Sequence, residues 1–112
     1  MKIHLLFICT ANENRSPAAE ALFGKSKDYE AKSCGINSLS KIPVSAKTIE
    51  WADIIMYMEK MHKKYILQQF PKAKHKKMTA LEIPDIYLRD DPWLIQLLKN
   101  KLEKIDIIVK NI

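Results

Sequence analysis

The run from Ile3 to Ile8 is apolar almost throughout, without the alternation of a half-exposed strand. That pattern predicts a strand covered on both faces, as in a parallel sheet. Polar residues follow from Thr10 to Ser16, and Pro17 to Phe23 reads as a helix with Ser16 as N-cap, Pro17 first and Gly24 as a stop. Tyr29 to Ser33 reads as a short strand closed by Gly35, and Asn37 to Pro43 as a loop. Ser45 to Ala52 is a second helix, offering Val44, Thr48, Ile49, Trp51 and Ala52 to the core. Asp53 to Met58 is a third strand, Glu59 to Phe70 a helix with helical spacing at Met61, Tyr65, Ile66 and Gln69-Phe70, and Lys77 to Ile83 a weaker fourth strand. Asp91 as N-cap and Pro92 as first residue open a last helix carrying Leu94, Leu97, Leu98, Leu102 and Ile105 on one face.

Strand and helix therefore alternate four times, which implies crossover connections. The expected fold class is α/β: a doubly wound four-stranded parallel sheet with helices on both faces. In such sheets ligands bind at the carboxyl ends of the strands. The loop after the first strand is the expected site, and 1–112 is read as a single domain.

Composition narrows the classes. With 47% hydrophobic residues the chain can bury a core, and its two cysteines, Cys9 and Cys34, are too few for a disulfide framework or a zinc cluster. The first apolar run is too short for a signal-peptide core and no stretch reaches the length of a membrane span, so a cytoplasmic protein without a membrane partner is expected. His4, His62 and His75 show no ligand spacing, so no metal is expected. The net charge of +6 favours acidic partners, but it is carried mostly by Lys, with arginine only at Arg15 and Arg89. Planar two-point binding of a phosphate calls for arginine. Where the two arginines fall thus tells more than the total.

Arg15 falls in Cys9-Thr10-Ala11-Asn12-Glu13-Asn14-Arg15-Ser16-Pro17, between the first strand and the first helix. A tight loop entering a helix directs backbone N–H groups at a dianion. The same field favours a thiolate nucleophile at its centre. Arginine can grip the equatorial oxygens of a transferring phosphoryl group, and Ser16 can donate to the thiolate as it leaves. Cys9 is the expected nucleophile and Arg15 the clamp; Thr10, Ala11, Asn12, Glu13, Asn14 and Ser16 are expected to surround the phosphate.

Cys-x5-Arg-Ser-Pro, followed by Ala-Glu-Ala-Leu, resembles the signature of the low-molecular-weight protein tyrosine phosphatases. Ser33-Cys34-Gly35-Ile36 and Ala52-Asp53-Ile-Ile-Met-Tyr-Met58 are similar to further segments of that family, and Glu50-Trp51-Ala52-Asp53 with Ile83-Pro84-Asp85 to its short bacterial branch. The resemblance implies hydrolysis of phosphomonoesters through a phosphocysteine on Cys9, with no cofactor. The implied substrate is protein phosphotyrosine or a small aryl phosphate, and Asn12 would hold the loop in shape. The chain departs from the family at Ala11, where glycine is usual, and at Asn14, where many members carry a second cysteine. It is also shorter.

The family's general acid is an aspartate late in the chain. Asp85 follows the fourth strand and stands at the right sheet edge; Asp91 precedes Pro92 but also suits a helix cap, and Asp90 is a more remote choice. Tyr87 is expected to line the entrance, against the alternative of a structural tyrosine. Cys34 is expected to be a small buried residue, and the basic runs His62-Lys63-Lys64 and Lys72 to Lys77 a solvated face. Two other functions stay open. Arsenate reduction needs further cysteines to pass a disulfide outward. The other is a non-catalytic basic module that holds phosphoprotein or nucleic acid, although no nucleic-acid-binding motif of recognisable type occurs.

Overall fold

The computed structural model describes residues 2–109, so both ends of the expected 1–112 domain span, Met1 included, lie outside the described residues. The strands are β1 (Ile3–Cys9), β2 (Tyr29–Gly35), β3 (Ile54–Tyr57) and β4 (Lys77–Ala80). They form one sheet of order β2-β1-β3-β4, and every neighbouring pair is parallel. β1 therefore has a strand on each side and a helical layer on each face. This is why Leu5, Leu6, Phe7 and Ile8 can all be fully buried with no polar alternation.

The helices are α1 (Arg15–Ala21), α2 (Ala46–Trp51), α3 (Lys60–Gln69) and α4 (Pro92–Lys104). Side chains alternate across β1, so Leu5, Phe7 and Cys9 join Ala18 and Ala19 of α1 and Leu94, Leu98 and Leu102 of α4 in one core. Leu6 and Ile8 join Cys34, Ile49 of α2, Ile55 and Ile66 of α3 in the core on the other face. Each fully buried leucine or isoleucine contributes roughly 1.5–3 kcal/mol relative to exposure. α4 begins as its sequence suggests: Asp91 Oδ1 accepts from the Trp93 N–H at 2.9 Å and Pro92 follows the cap. Among the described residues no helix is long and apolar enough to cross a membrane.

Three local expectations are corrected. α1 starts at Arg15 with Asn14 as N-cap, two residues before the expected start at Pro17. Pro17 is tolerated there because the first-turn N–H groups have no helical partner in any case. In α3 the inward face holds His62 and Ile66, both fully buried, while Met61 is 52% exposed. β4 ends at Ala80 because Glu82 adopts φ 56°, yet Leu81 N–H and Ile83 N–H still donate to Tyr57 O and Met58 O. The basic run from Lys72 to Lys77 is the solvated face expected of it: Lys72, Lys74 and His75 are exposed on a 3₁₀ turn (Pro71–His75) that buries only Ala73, and Lys77 is exposed beyond it.

Candidate active site

Cys9 is the last residue of β1, and two backbone bonds pin the chain around it: Ile36 N–H donates to Cys9 O and Asn37 N–H to Thr10 O, each at 3.0 Å. Gly35 faces Cys9 in the sheet register. A Cβ there would stand 2.7 Å from Thr10 O and closer still to Ser40 Oγ, so only glycine lets the two segments approach. Asn12 turns the loop with φ 56°, a conformation asparagine tolerates. Its buried Nδ2 donates to Ser16 Oγ and Ser33 Oγ, both at 2.9 Å, and Ser33 Oγ donates to Glu20 Oε1 at 2.6 Å. Among the described residues, no backbone N–H from Ala11 to Arg15 donates to a protein acceptor. Those amides remain available to an anion.

Cys9 Sγ lies 2.9 Å from Ser16 Oγ. Because Ser16 already accepts from Asn12, its single proton can serve a thiolate, the competing acceptor Cys34 O being 3.4 Å away. Arg15 is 2% exposed. Its Nη1 donates to the Glu59 carboxylate and to Ile83 O, Nη2 to Thr10 Oγ1 at 3.4 Å, and Nε stands 3.7 Å from Asp85 Oδ1. One edge of the guanidinium is thus sealed by protein. The Nε–Nη2 edge is the one that can fork to two oxygens of a bound oxyanion.

A small cavity of about 80 Å³ is lined by Cys9, Ala11, Glu13, Asn14, Arg15 and Asp85. The structure thus brings most of the expected site residues together. Thr10, Asn12 and Ser16 are not among the residues lining that cavity: Thr10 Oγ1 touches Arg15 Nη2 beside it, and Asn12 and Ser16 brace the loop and the sulfur. Asn14 accepts at Oδ1 from Arg89 N–H at 3.0 Å, tying the segment that carries Asp85 to the loop. Asp91 caps α4 instead, and Asp90 is exposed and does not line the cavity. Tyr87 does not line it either: it packs half-buried against the α1–α4 core, as the structural alternative described. Cys34 is fully buried in the other core, where burial first and Cys9 second push its thiol up to about 12. Among the described residues no group of three or more His, Cys, Asp or Glu side chains could hold a metal ion.

Two residues here escaped the sequence reading, Glu59 and His62. Glu59 N–H donates to His62 Nδ1 at 2.9 Å, and His62 Nε2 lies 3.0 Å from Thr10 Oγ1. Burial first, then the Arg15 guanidinium, lowers the His62 pKa to about 4, against the opposing pull of Glu59 and Asp85. The signal was Glu-x-x-His at the carboxyl end of β3, a helix-start spacing at the sheet edge where the loop also lies.

No protein-family profile matches this chain. It is 32% identical to a protein-arginine-phosphatase of Geobacillus stearothermophilus, with 70% of each chain covered. Its structure is similar to that of the tyrosine phosphatase Wzb from Escherichia coli K30 in complex with phosphate, with a TM-score of 0.75, 23% identity, and 94% of this chain and 96% of that one covered. It is also similar to SP-PTP, a low molecular weight protein tyrosine phosphatase from Streptococcus pyogenes, with a TM-score of 0.73, 16% identity, and 94% and 91% covered.

Proposed function

The chain belongs to the low-molecular-weight protein tyrosine phosphatase family, and from that premise we propose that it removes phosphoryl groups from protein side chains through a phosphocysteine on Cys9. The observation that carries the proposal is the convergence of Cys9, Arg15 and Asp85 on one small cavity. Cys9 Sγ attacks phosphorus as the thiolate, and the bond to the leaving group breaks. Asp85, as the acid, gives that group its proton. The Nε–Nη2 edge of Arg15 and the unpaired loop amides hold the three equatorial oxygens as charge builds on them. Water then attacks the phosphocysteine, Asp85 takes the proton of that water, and the sulfur leaves as a thiolate that receives the Ser16 hydrogen bond.

As substrate we propose protein phosphotyrosine, or a small aryl phosphate in vitro, with the phenolic oxygen as leaving group. Ile86 and Leu88, each 75% exposed, stand in the segment just after Asp85 and supply apolar surface for a ring. A second reading, phosphoarginine, is supported by Glu13: the residue lines the cavity, and a carboxylate is an acceptor suited to guanidinium N–H groups. A relative with arginine phosphatase activity by name points the same way. The position of Cys34 weighs against arsenate reduction: it lies across the sheet from Cys9 and its thiol is held protonated, poor properties for a resolving cysteine.

The test is hydrolysis of para-nitrophenyl phosphate without added metal, then of matched phosphotyrosine and phosphoarginine peptides. Wild-type turnover that vanishes in Cys9→Ser, while inorganic phosphate still binds the variant, supports the phosphatase over a polyanion-binding module. Equal turnover by both proteins overturns the mechanism. The ratio of kcat/KM on the two peptides selects the leaving group.

A further inference from the structure

We propose that His62 is a positioning residue that commits the Thr10 hydroxyl to donate a hydrogen bond to the bound phosphoryl group, a role that rests on the phosphatase reading above. The argument is one of valence. Glu59 N–H points at His62 Nδ1, 2.9 Å away, so that nitrogen must present its lone pair and cannot carry a proton. In neutral imidazole the proton then belongs to Nε2, 3.0 Å from Thr10 Oγ1. His62 donates and Thr10 accepts. The imidazole is fully buried, and its neutrality over the working range follows from that burial and from the nearby guanidinium.

Thr10 Oγ1 has two lone pairs and one proton. The lone pairs face His62 Nε2 and Arg15 Nη2, the latter at 3.4 Å. Among the described residues no acceptor faces the proton. The hydroxyl is also well placed. It adjoins the nucleophile in sequence and touches the Nη2 end of the arginine edge left open to ligand, while Nη1 is sealed by Glu59 and Ile83 O. With Nη2 3.4 Å from Oγ1, an oxygen gripped by Nη2 at an ordinary distance of roughly 2.8 Å on the Thr10 side can accept the Oγ1 proton. Glu59 thus sets both partners, Arg15 through its carboxylate and Thr10 through its amide and His62.

A donor to a phosphoryl oxygen gains strength as that oxygen gains charge, so its loss falls on the transition state more than on substrate binding. Thr10→Val keeps the shape and removes the proton together with the acceptor for His62 Nε2 and Arg15 Nη2, so its stability is measured beside its turnover; a loss of roughly 10- to 100-fold in kcat/KM, mostly in kcat, is expected. Thr10→Ser should restore most of it. A long-range ¹⁵N–¹H spectrum of the imidazoles at pH 7 reads the second half of the proposal without activity, and His62 should carry its proton on Nε2. Thr10→Val matching wild type on para-nitrophenyl phosphate, or His62 protonated on Nδ1, overturns the inference. In the first case wild-type turnover leaves the phosphatase reading standing; an inert wild type removes both.

Discussion

The ion pair between Arg15 and Glu59 sets a magnitude that can be tested directly. Arg15 is 2% exposed, so its charge has almost no water to fall back on, whereas the Glu59 side chain is 38% exposed. Removing one partner of a fully buried pair costs about 3–5 kcal/mol, and removing one from an exposed pair about 0–1. With one partner on each side of that divide, Glu59→Ala should cost about 2 kcal/mol. The backbone bond from residue 59 to His62 survives the change, and Ile83 O still accepts from Nη1. Glu59→Gln keeps an oxygen acceptor and loses only the charge, about 1 kcal/mol. For a chain of this size these losses correspond to Tm decreases of roughly 8 and 4 °C. The assay is thermal unfolding by circular dichroism, with turnover of para-nitrophenyl phosphate measured on the same samples. Both variants should lose kcat in the same order, because a guanidinium released from Glu59 no longer holds its open edge toward Cys9. An alanine variant as stable and as active as wild type would refute the view that Glu59 holds the clamp.

Asp85→Asn should lower kcat roughly 100-fold or more at neutral pH with the fold intact, whereas Asp91→Asn should keep its turnover because asparagine also caps a helix. Steady-state kinetics on the pair decides between the two acids, and a loss confined to Asp91→Asn reverses the assignment. Gly35→Ala forces a methyl group against Thr10 O and should cost about 1–3 kcal/mol together with activity; unchanged denaturation and turnover would show that the loop yields. The His62 pKa lies below its ordinary value, so its contribution to stability is complete above about pH 6.5 and is lost as pH falls toward 4. Urea unfolding at pH 7 and pH 5 should show wild type losing more stability than His62→Gln, by up to about 2 kcal/mol; equal losses would count against a buried neutral imidazole.

The order of strands and helices was legible because the apolar runs are short, strongly patterned and separated by clear caps. β1 and α4 are the plainest cases: six largely apolar positions need cover on both faces, and Asp-Pro before a leucine face starts a helix. Cys9 and Arg15 were legible because both fall within one strand-to-helix loop. The start of α1 was not, since Ser16 resembles a cap in sequence but spends its hydroxyl on Cys9 and Asn12. The inward face of α3 was misread for a related reason. Hydrophobicity favours Met61, yet the Glu59 amide and Thr10 together satisfy both nitrogens of His62, which makes burial of a polar ring affordable. Tyr87 could not be placed from sequence because a phenol suits a core edge and a cleft mouth equally well. Partners that meet only in three dimensions leave no mark on a one-dimensional pattern.

Arg15 donates to the carbonyl of Ile83, 68 positions further along the chain, and Asn14 accepts from the amide of Arg89. A growing chain displays its thiol well before Ile83 is made, and the guanidinium beside it finds its resting place only when β4 and the bend after it have docked. Reactivity is thereby coupled to completion. A ribosome-bound or proteolysed fragment ending before residue 83 would hold the sulfur without the geometry that makes it useful, so the appearance of turnover during refolding should report the last long-range contact to form rather than the first.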